Sequence, residues 1–137
     1  MNITPAKALI VYLITVPVFF ALDLLWLGIL ARDFYQRHLG YLMRPQVNWV
    51  AAISFYLLFI IGIVIFGIKP ALEAQSPFRA LVYGALFGFF TYATYDLTNL
   101  ATVRDWPFVV TAVDLAWGTA LCGGVAWISY HASIRLL

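Results

Sequence analysis

Three aspartates, Asp23, Asp96 and Asp114, each stand inside a long apolar stretch of this chain. A carboxylate near the centre of a membrane helix costs about 2.5–3.5 kcal/mol on insertion scales. Acids placed there have three uses: accepting hydrogen bonds, exchanging a proton as general acid or base, or holding a cation. Residues three and four apart share a helix face. Asp23 therefore aligns with Trp26, Asp96 with Tyr92 and Asn99, and Asp114 with Thr111, Trp117 and Gly118. Around Asp96 also stand Thr91, Thr94, Tyr95, Thr98 and Thr102, too many polar groups for that segment to face lipid on all sides.

Four apolar blocks must position these acids: Ala8–Leu30, Val47–Ile68, Arg79–Thr102 and Phe108–Tyr130. Each is close to the roughly 20 residues that a helix needs to cross about 30 Å of hydrocarbon. In lipid every backbone group must be satisfied internally, so the blocks read as helices rather than strands. The expected fold is all-α, a polytopic four-helix membrane bundle forming a single transmembrane domain over residues 1–137. Residues 31–46 form an interfacial loop or helix, Pro17 kinks the first span, and Lys-Pro and Ser-Pro pairs mark a turn over Lys69–Phe78. At about 1.5 Å per residue, all three aspartates and Ser54 and Tyr56 lie at one level, roughly 9–10 Å below the face that carries residues 31–46. The spacing thus predicts a polar pocket walled by Trp26, Tyr56, Tyr92 and Trp117. The bland readings are structural acids that lock the bundle, or acids close enough to the interface to be solvated by water.

Composition demands the same solvent. Of 137 residues, 64% are hydrophobic and 10% charged, whereas soluble domains carry about 25% charged residues. Fourteen charged side chains cannot clothe a water-soluble body of this size. The net charge of +2 is too small and too evenly spread for nucleic-acid binding. Lys7, Lys69, Arg79 and Arg135 on one face balance Arg32, Arg37, Arg44 and Arg104 on the other, so the positive-inside rule fixes no orientation. Residues 1–25 lack a cleavage site after their apolar run and read as a retained span, not a leader. The single cysteine, Cys122, excludes an internal disulfide and reads as a packing residue. No nucleotide loop, nucleophile constellation or metal motif is present, and no cofactor or metal is expected.

The 31–46 segment alternates Phe34, Tyr35, Leu39, Tyr41, Leu42 and Met43 with charge, as an interfacial helix does. Arg32, Arg37, His38 and Arg44, with Arg104 from the short second loop, either cover the carboxylate layer or meet phospholipid head groups. Head-group anchoring is the plainer fit. Ala80, Gly84 and Gly88 recur every four residues in the third block, and Ala116, Ala120 and Gly124 in the fourth; such stripes let membrane helices approach closely, within a chain or between two copies. Trp49, Trp106, Tyr12 and Tyr130 near block ends read as an aromatic belt.

The halves also resemble each other. Asp23-Leu24 followed by Arg32-Asp33-Phe34 parallels Asp96-Leu97 followed by Arg104-Asp105-Trp106, with one gap. Two helical hairpins duplicated in parallel orientation would produce that pattern. Leu22–Gly28, Arg32–Tyr35, Leu39-Gly40, Tyr95–Thr102 and Val113–Gly118 resemble, over nearly the whole chain, a family of small bacterial predicted inner-membrane proteins, domain of unknown function 2177. The resemblance implies a multi-pass protein of the bacterial inner (cytoplasmic) membrane and brings no activity with it. A fainter likeness, of architecture alone, is to four-helix sterol-handling proteins of the emopamil-binding type.

Three functions of different class fit these residues: binding or processing a lipid or small amphipathic ligand, proton-coupled transport, and a structural or accessory role beside a partner membrane protein. Membrane lipids are the expected partners in each, and a homodimer is compatible with all three.

Overall fold

A computed structural model describes all residues, 1–137. The chain is helical throughout and has no strand. Four long helices, α1 (Pro5–Leu30), α3 (Trp49–Glu73), α4 (Pro77–Thr102) and α5 (Phe108–Leu136), are joined by short turns, and a short helix, α2 (Arg32–Leu39), follows α1. The side chains of Thr4, Asn48 and Ser76 accept backbone N–H groups at the starts of α1, α3 and α4, satisfying donors that the first helical turn leaves free.

Three helices, α1, α3 and α5, are long and apolar enough to cross a membrane. With its 26 residues α4 has the length, but Arg79, Asp96, Asn99 and a run of threonines dilute its apolarity. The outward sides of α1, α3 and α5, and of α4 from Leu81 to Phe90, are apolar: Ile29 is 71% exposed, Val50 80%, Phe90 63%. Only a hydrocarbon solvent makes such a surface stable.

One turn expectation is corrected. Lys69-Pro70 lies inside α3, and the connection to α4 is only Ala74–Ser76. Pro70 has no N–H to give the preceding turn, and the backbone accommodates it by widening into a π turn over Val64–Ile68. Helix α1 runs through Pro17 without a break. The belt expectation fails for Trp106 and Tyr130, which are 8% and 4% exposed and pack inward.

The closest packing is between α4 and α5, and glycine makes it possible. A Cβ on Gly84 would come 2.5 Å from the Cys122 carbonyl oxygen, and one on Gly88 2.0 Å from that of Gly118. The Ala80–Gly84–Gly88 stripe is therefore an intrachain seam. Its partner on α5 is not Ala116, Ala120 and Gly124, as the fourfold spacing predicted, but Gly118, Cys122 and Ala126. Ala116 and Ala120 are exposed and Gly124 faces open space, two residues from the true seam and so on nearly the opposite face of the helix. Cys122 is buried there as a small packing residue.

Helix α1 lies against α5 through Val11, Thr15, Phe19 and Asp23, buried at every fourth position. The half of α3 from Val64 onward packs on α4, α5 and α1, and closes a core around Ile60, Ile63, Ile68, Leu72, Leu121 and Val125. The half before it diverges from α4. Only aromatic rings bridge the gap, Phe59 to Phe87 at 5.2 Å and to Tyr92 at 6.3 Å between centroids. The helices are thus packed tightly at the end bearing the termini and open along one side at the other.

Replacing Gly88 by valine should destabilise the fold by about 1–3 kcal/mol, the usual cost of overpacking, whereas Gly124→Ala should stay within about 0.5 kcal/mol. Unfolding of the detergent-solubilised protein followed by circular dichroism measures both.

Candidate functional site

The glycine seam sets the register that brings α4 and α5 together at their acids. One turn before Asp114, Thr111 donates its hydroxyl to the Asp96 carbonyl oxygen at 3.3 Å and accepts Trp106 Nε1 at 3.0 Å. The carboxyl of Asp96 lies beside that of Asp114. Asp96 is 0% exposed and neither of its carboxyl oxygens has a hydrogen-bond partner. Asp114 is more engaged: its Oδ1 accepts the Tyr35 hydroxyl at 2.5 Å.

That tyrosine comes from α2, and it was not among the residues singled out from sequence. Its oxygen also accepts Trp26 Nε1 at 3.1 Å, so a chain of hydrogen bonds runs from α1 through α2 to α5. The Trp26 ring stacks on Trp117, 4.5 Å between centroids and 10° from parallel. The tryptophan three residues after Asp23 thus meets the tryptophan three residues after Asp114. The one available signal for Tyr35 was amphipathicity. Phe34, Tyr35, His38 and Leu39 form the half-buried side of α2, while Arg32, Asp33, Gln36 and Arg37 are exposed. Further along, Tyr41 donates to the carbonyl oxygens of Arg104 and Asp105, at 3.2 and 2.7 Å, and ties the segment to the turn after α4. The 31–46 segment is a strap over the acidic end of the bundle, and its tyrosines, not its arginines, hold it there.

Asp23 is buried on α1, with Tyr56 and Trp117 as its nearest polar neighbours. Trp117 Nε1 is itself buried without a hydrogen-bond partner. Tyr92 stands between this acid and the Asp96–Asp114 pair, its ring against Gly118, where a Cβ would come 2.3 Å from it. The acids are therefore arranged as a pair and an outlier around one tyrosine. No three His, Cys, Asp or Glu side chains gather closely enough to hold a metal ion. Asn99 faces Tyr95 on its own helix rather than Asp96. Ser54 points outward and is exposed.

The basic candidates do not reach the carboxyls. Arg32, Arg37, Arg44 and Arg104 are all exposed, and the chain's one ion pair, Lys69 with Glu73, lies at the opposite end. His38 is spent within α2, its Nδ1 donating to the Phe34 carbonyl oxygen at 2.9 Å while the ring packs on Phe34.

Between the diverging halves of α3 and α4 lies a cavity of about 600 Å³. Phe55, Phe59, Thr91, Tyr92, Thr94 and Tyr95 line it, and Asp114 is its acidic wall. A second hollow of about 400 Å³ continues from Thr91 and Thr94 along Phe66, Tyr83, Leu86, Phe87 and Phe90. Threonine hydroxyls here bond back to their own helix, Thr91 to Phe87 and Thr94 to Phe90, both at 2.7 Å, so the groove presents mostly carbon to an occupant.

Residues 8–131 match the family described as predicted membrane protein (DUF2177). The chain belongs to that family. No curated protein and no solved structure matches it. The likeness read from the sequence is thereby shown, and with three apolar helices of spanning length the protein is an integral membrane protein.

Burial, and then its bond to Asp114, hold the Tyr35 phenol above the usual value of 10.0. A folded-state pKa raised in this way contributes stability that is complete below the ordinary phenol range and is lost as pH rises through and beyond it. Tyr35→Phe should therefore destabilise the protein at neutral pH by about 1–3 kcal/mol, the cost of stranding a buried acceptor, and should flatten the decline in melting temperature above about pH 10. Thermal melts of both forms from pH 7 to 11 measure this.

Proposed function

We propose that this protein binds, and holds within the bilayer, a lipid or small amphipathic ligand whose polar end sits at Asp114, with Asp96 behind it, and whose tail lies between α3 and α4. The observation that carries the reading is the side opening. A cavity with one carboxyl wall and otherwise aromatic and threonine lining opens toward what a bilayer fills with acyl chains. A ligand enters such a site from the membrane without crossing water. Of the four aromatic residues expected to wall a pocket, Tyr92 lines this cavity, while Tyr35 holds Asp114 from the side of the strap.

This reading takes the molecule as a four-helix bundle spanning the bacterial inner membrane, with α4 as the fourth span. Its 26 residues reach about 39 Å at 1.5 Å per residue, enough to cross. Thr91, Tyr92, Thr94 and Tyr95 face the cavity and Asp96 faces α5, and the hydroxyls of Thr98 and Thr102 bond back to their own helix, which removes part of the hydropathic objection. The exposed loop-face arginines suit anionic head groups. Duplicated hairpins also find support in a detail of α1. The Asp-to-Arg spacing is nine in the first half and eight in the second. A π turn holds one residue more than an α turn, and α1 has one at Trp26–Leu30, between Asp23 and Arg32.

Mass spectrometry of the detergent-extracted protein should find an amphipathic molecule bound to the wild type. Thr94→Trp, which fills the cavity from an exposed position on α4, should empty it while helical content and melting temperature hold. An empty wild-type preparation, or equal loading of Thr94→Trp, refutes the reading.

A further inference from the structure

The paired acids lack a countercharge anywhere in the chain. The loop-face arginines are exposed, none of the eight basic side chains forms an ion pair with any of the three aspartates, and Lys69 is already engaged by Glu73. Asp96 is fully buried with both carboxyl oxygens open, and Asp114 Oδ1 takes the Tyr35 hydroxyl while its Oδ2 accepts nothing. The Asp114 carboxyl walls the inner end of the groove, and the Asp96 carboxyl lies buried directly behind it. Buried carboxyl oxygens without donors are costly, and an occupant that supplies donors and positive charge removes that cost.

We propose that the groove selects a single-chain amphiphile bearing a protonated primary amine, with the ammonium seated on Asp114, the buried Asp96 carboxyl adding charge behind it, and the chain laid across Thr91 and Thr94 toward Phe66 and Tyr83. An ammonium has three N–H donors and no acceptor, which suits an acidic wall with no basic side chain beside it. A phosphate or carboxylate head would set like charge against the acids, and a hydroxyl head would satisfy one oxygen and leave the others bare. The tail's course follows from the two hollows meeting at Thr91 and Thr94. From Thr94 to Tyr83 is eleven residues of α4, about 16 Å of groove. One track bounded by α3 and α4 accommodates one chain. This inference rests on the amphiphile reading above and narrows it to a charge class.

The test titrates the purified full chain, in neutral detergent at pH 7, with dodecylamine, dodecanol and dodecanesulfonate, following tryptophan fluorescence from the Trp26–Trp117 stack. Dodecylamine should bind saturably and at least about tenfold more tightly than dodecanol, and the sulfonate should not bind. Asp96→Asn and Asp114→Asn should each weaken the amine by about tenfold or more while leaving the alcohol within about twofold. Equal affinity for amine and alcohol, or amine binding untouched by both substitutions, overturns the amine inference and leaves the amphiphile reading standing. No saturable binding of any of the three overturns both. Should the asparagine variants fail to fold, Thr94→Trp decides: lost amine binding supports the proposal, and retained binding overturns it.

Discussion

The approach of α4 to α5 is the constraint on which the rest of the structure depends. At Gly84 and Gly88 the two backbones lie so close that a single added carbon would collide with a carbonyl oxygen across the seam. Such a contact admits one register. Asp96 stands two helical turns beyond Gly88, and Asp114 one turn before Gly118, so the same seam that fixes the register places the two acids together. Dispersion contacts between small residues thus aim polar groups that would not choose each other's company. In a membrane, where lipid is as apolar as any side chain, this close packing rather than water exclusion holds helices together.

A second consequence is asymmetry. Pairing is tight along α4 and α5, while α3 is packed on α4 chiefly from its π turn onward. The remaining half of α3 leans away, carrying Phe55 and Phe59 to the far side of a groove that the seam's own tightness could not have left between α4 and α5. The strap then closes what the helices leave open at the acidic end. Its attachments are two tyrosine hydroxyls, one on the Asp114 carboxylate and one on the carbonyls of the turn containing Asp105. That turn puts Asp105 in the left-handed region at φ 58°, a conformation that aspartate tolerates better than most residues.

Much of this was legible in residue order. Hydropathy located every long helix to within a few residues, because a segment that must be apolar over a bilayer's thickness leaves little freedom of composition. Helical spacing paired Asp23 with Trp26 and Asp114 with Trp117, and those pairs meet in the stacked rings. Misreadings came where two faces of one helix carry the same residue types. On α5, Ala116, Ala120 and Gly124 repeat as regularly as the residues that pack, and periodicity does not say which small face finds a neighbour. Lys69-Pro70 looked like a turn because proline ends most helices, yet a π turn absorbs it.

Tyr35 marks the boundary between the two kinds of knowledge. The chain's composition settles that the protein lives in a bilayer, since its outward surface has no other compatible solvent, and that its aspartates lie within long apolar helices. It does not settle which groups answer them. Charge pointed to the arginines, but a guanidinium near an interface keeps its hydration by staying outside, and the arginines do so. A phenol gives up less on entering and reaches Asp114 from a helix whose placement depends on contacts more than sixty residues apart. Depth follows from counting along one helix; company depends on how several helices lean, and only packing in three dimensions decides that.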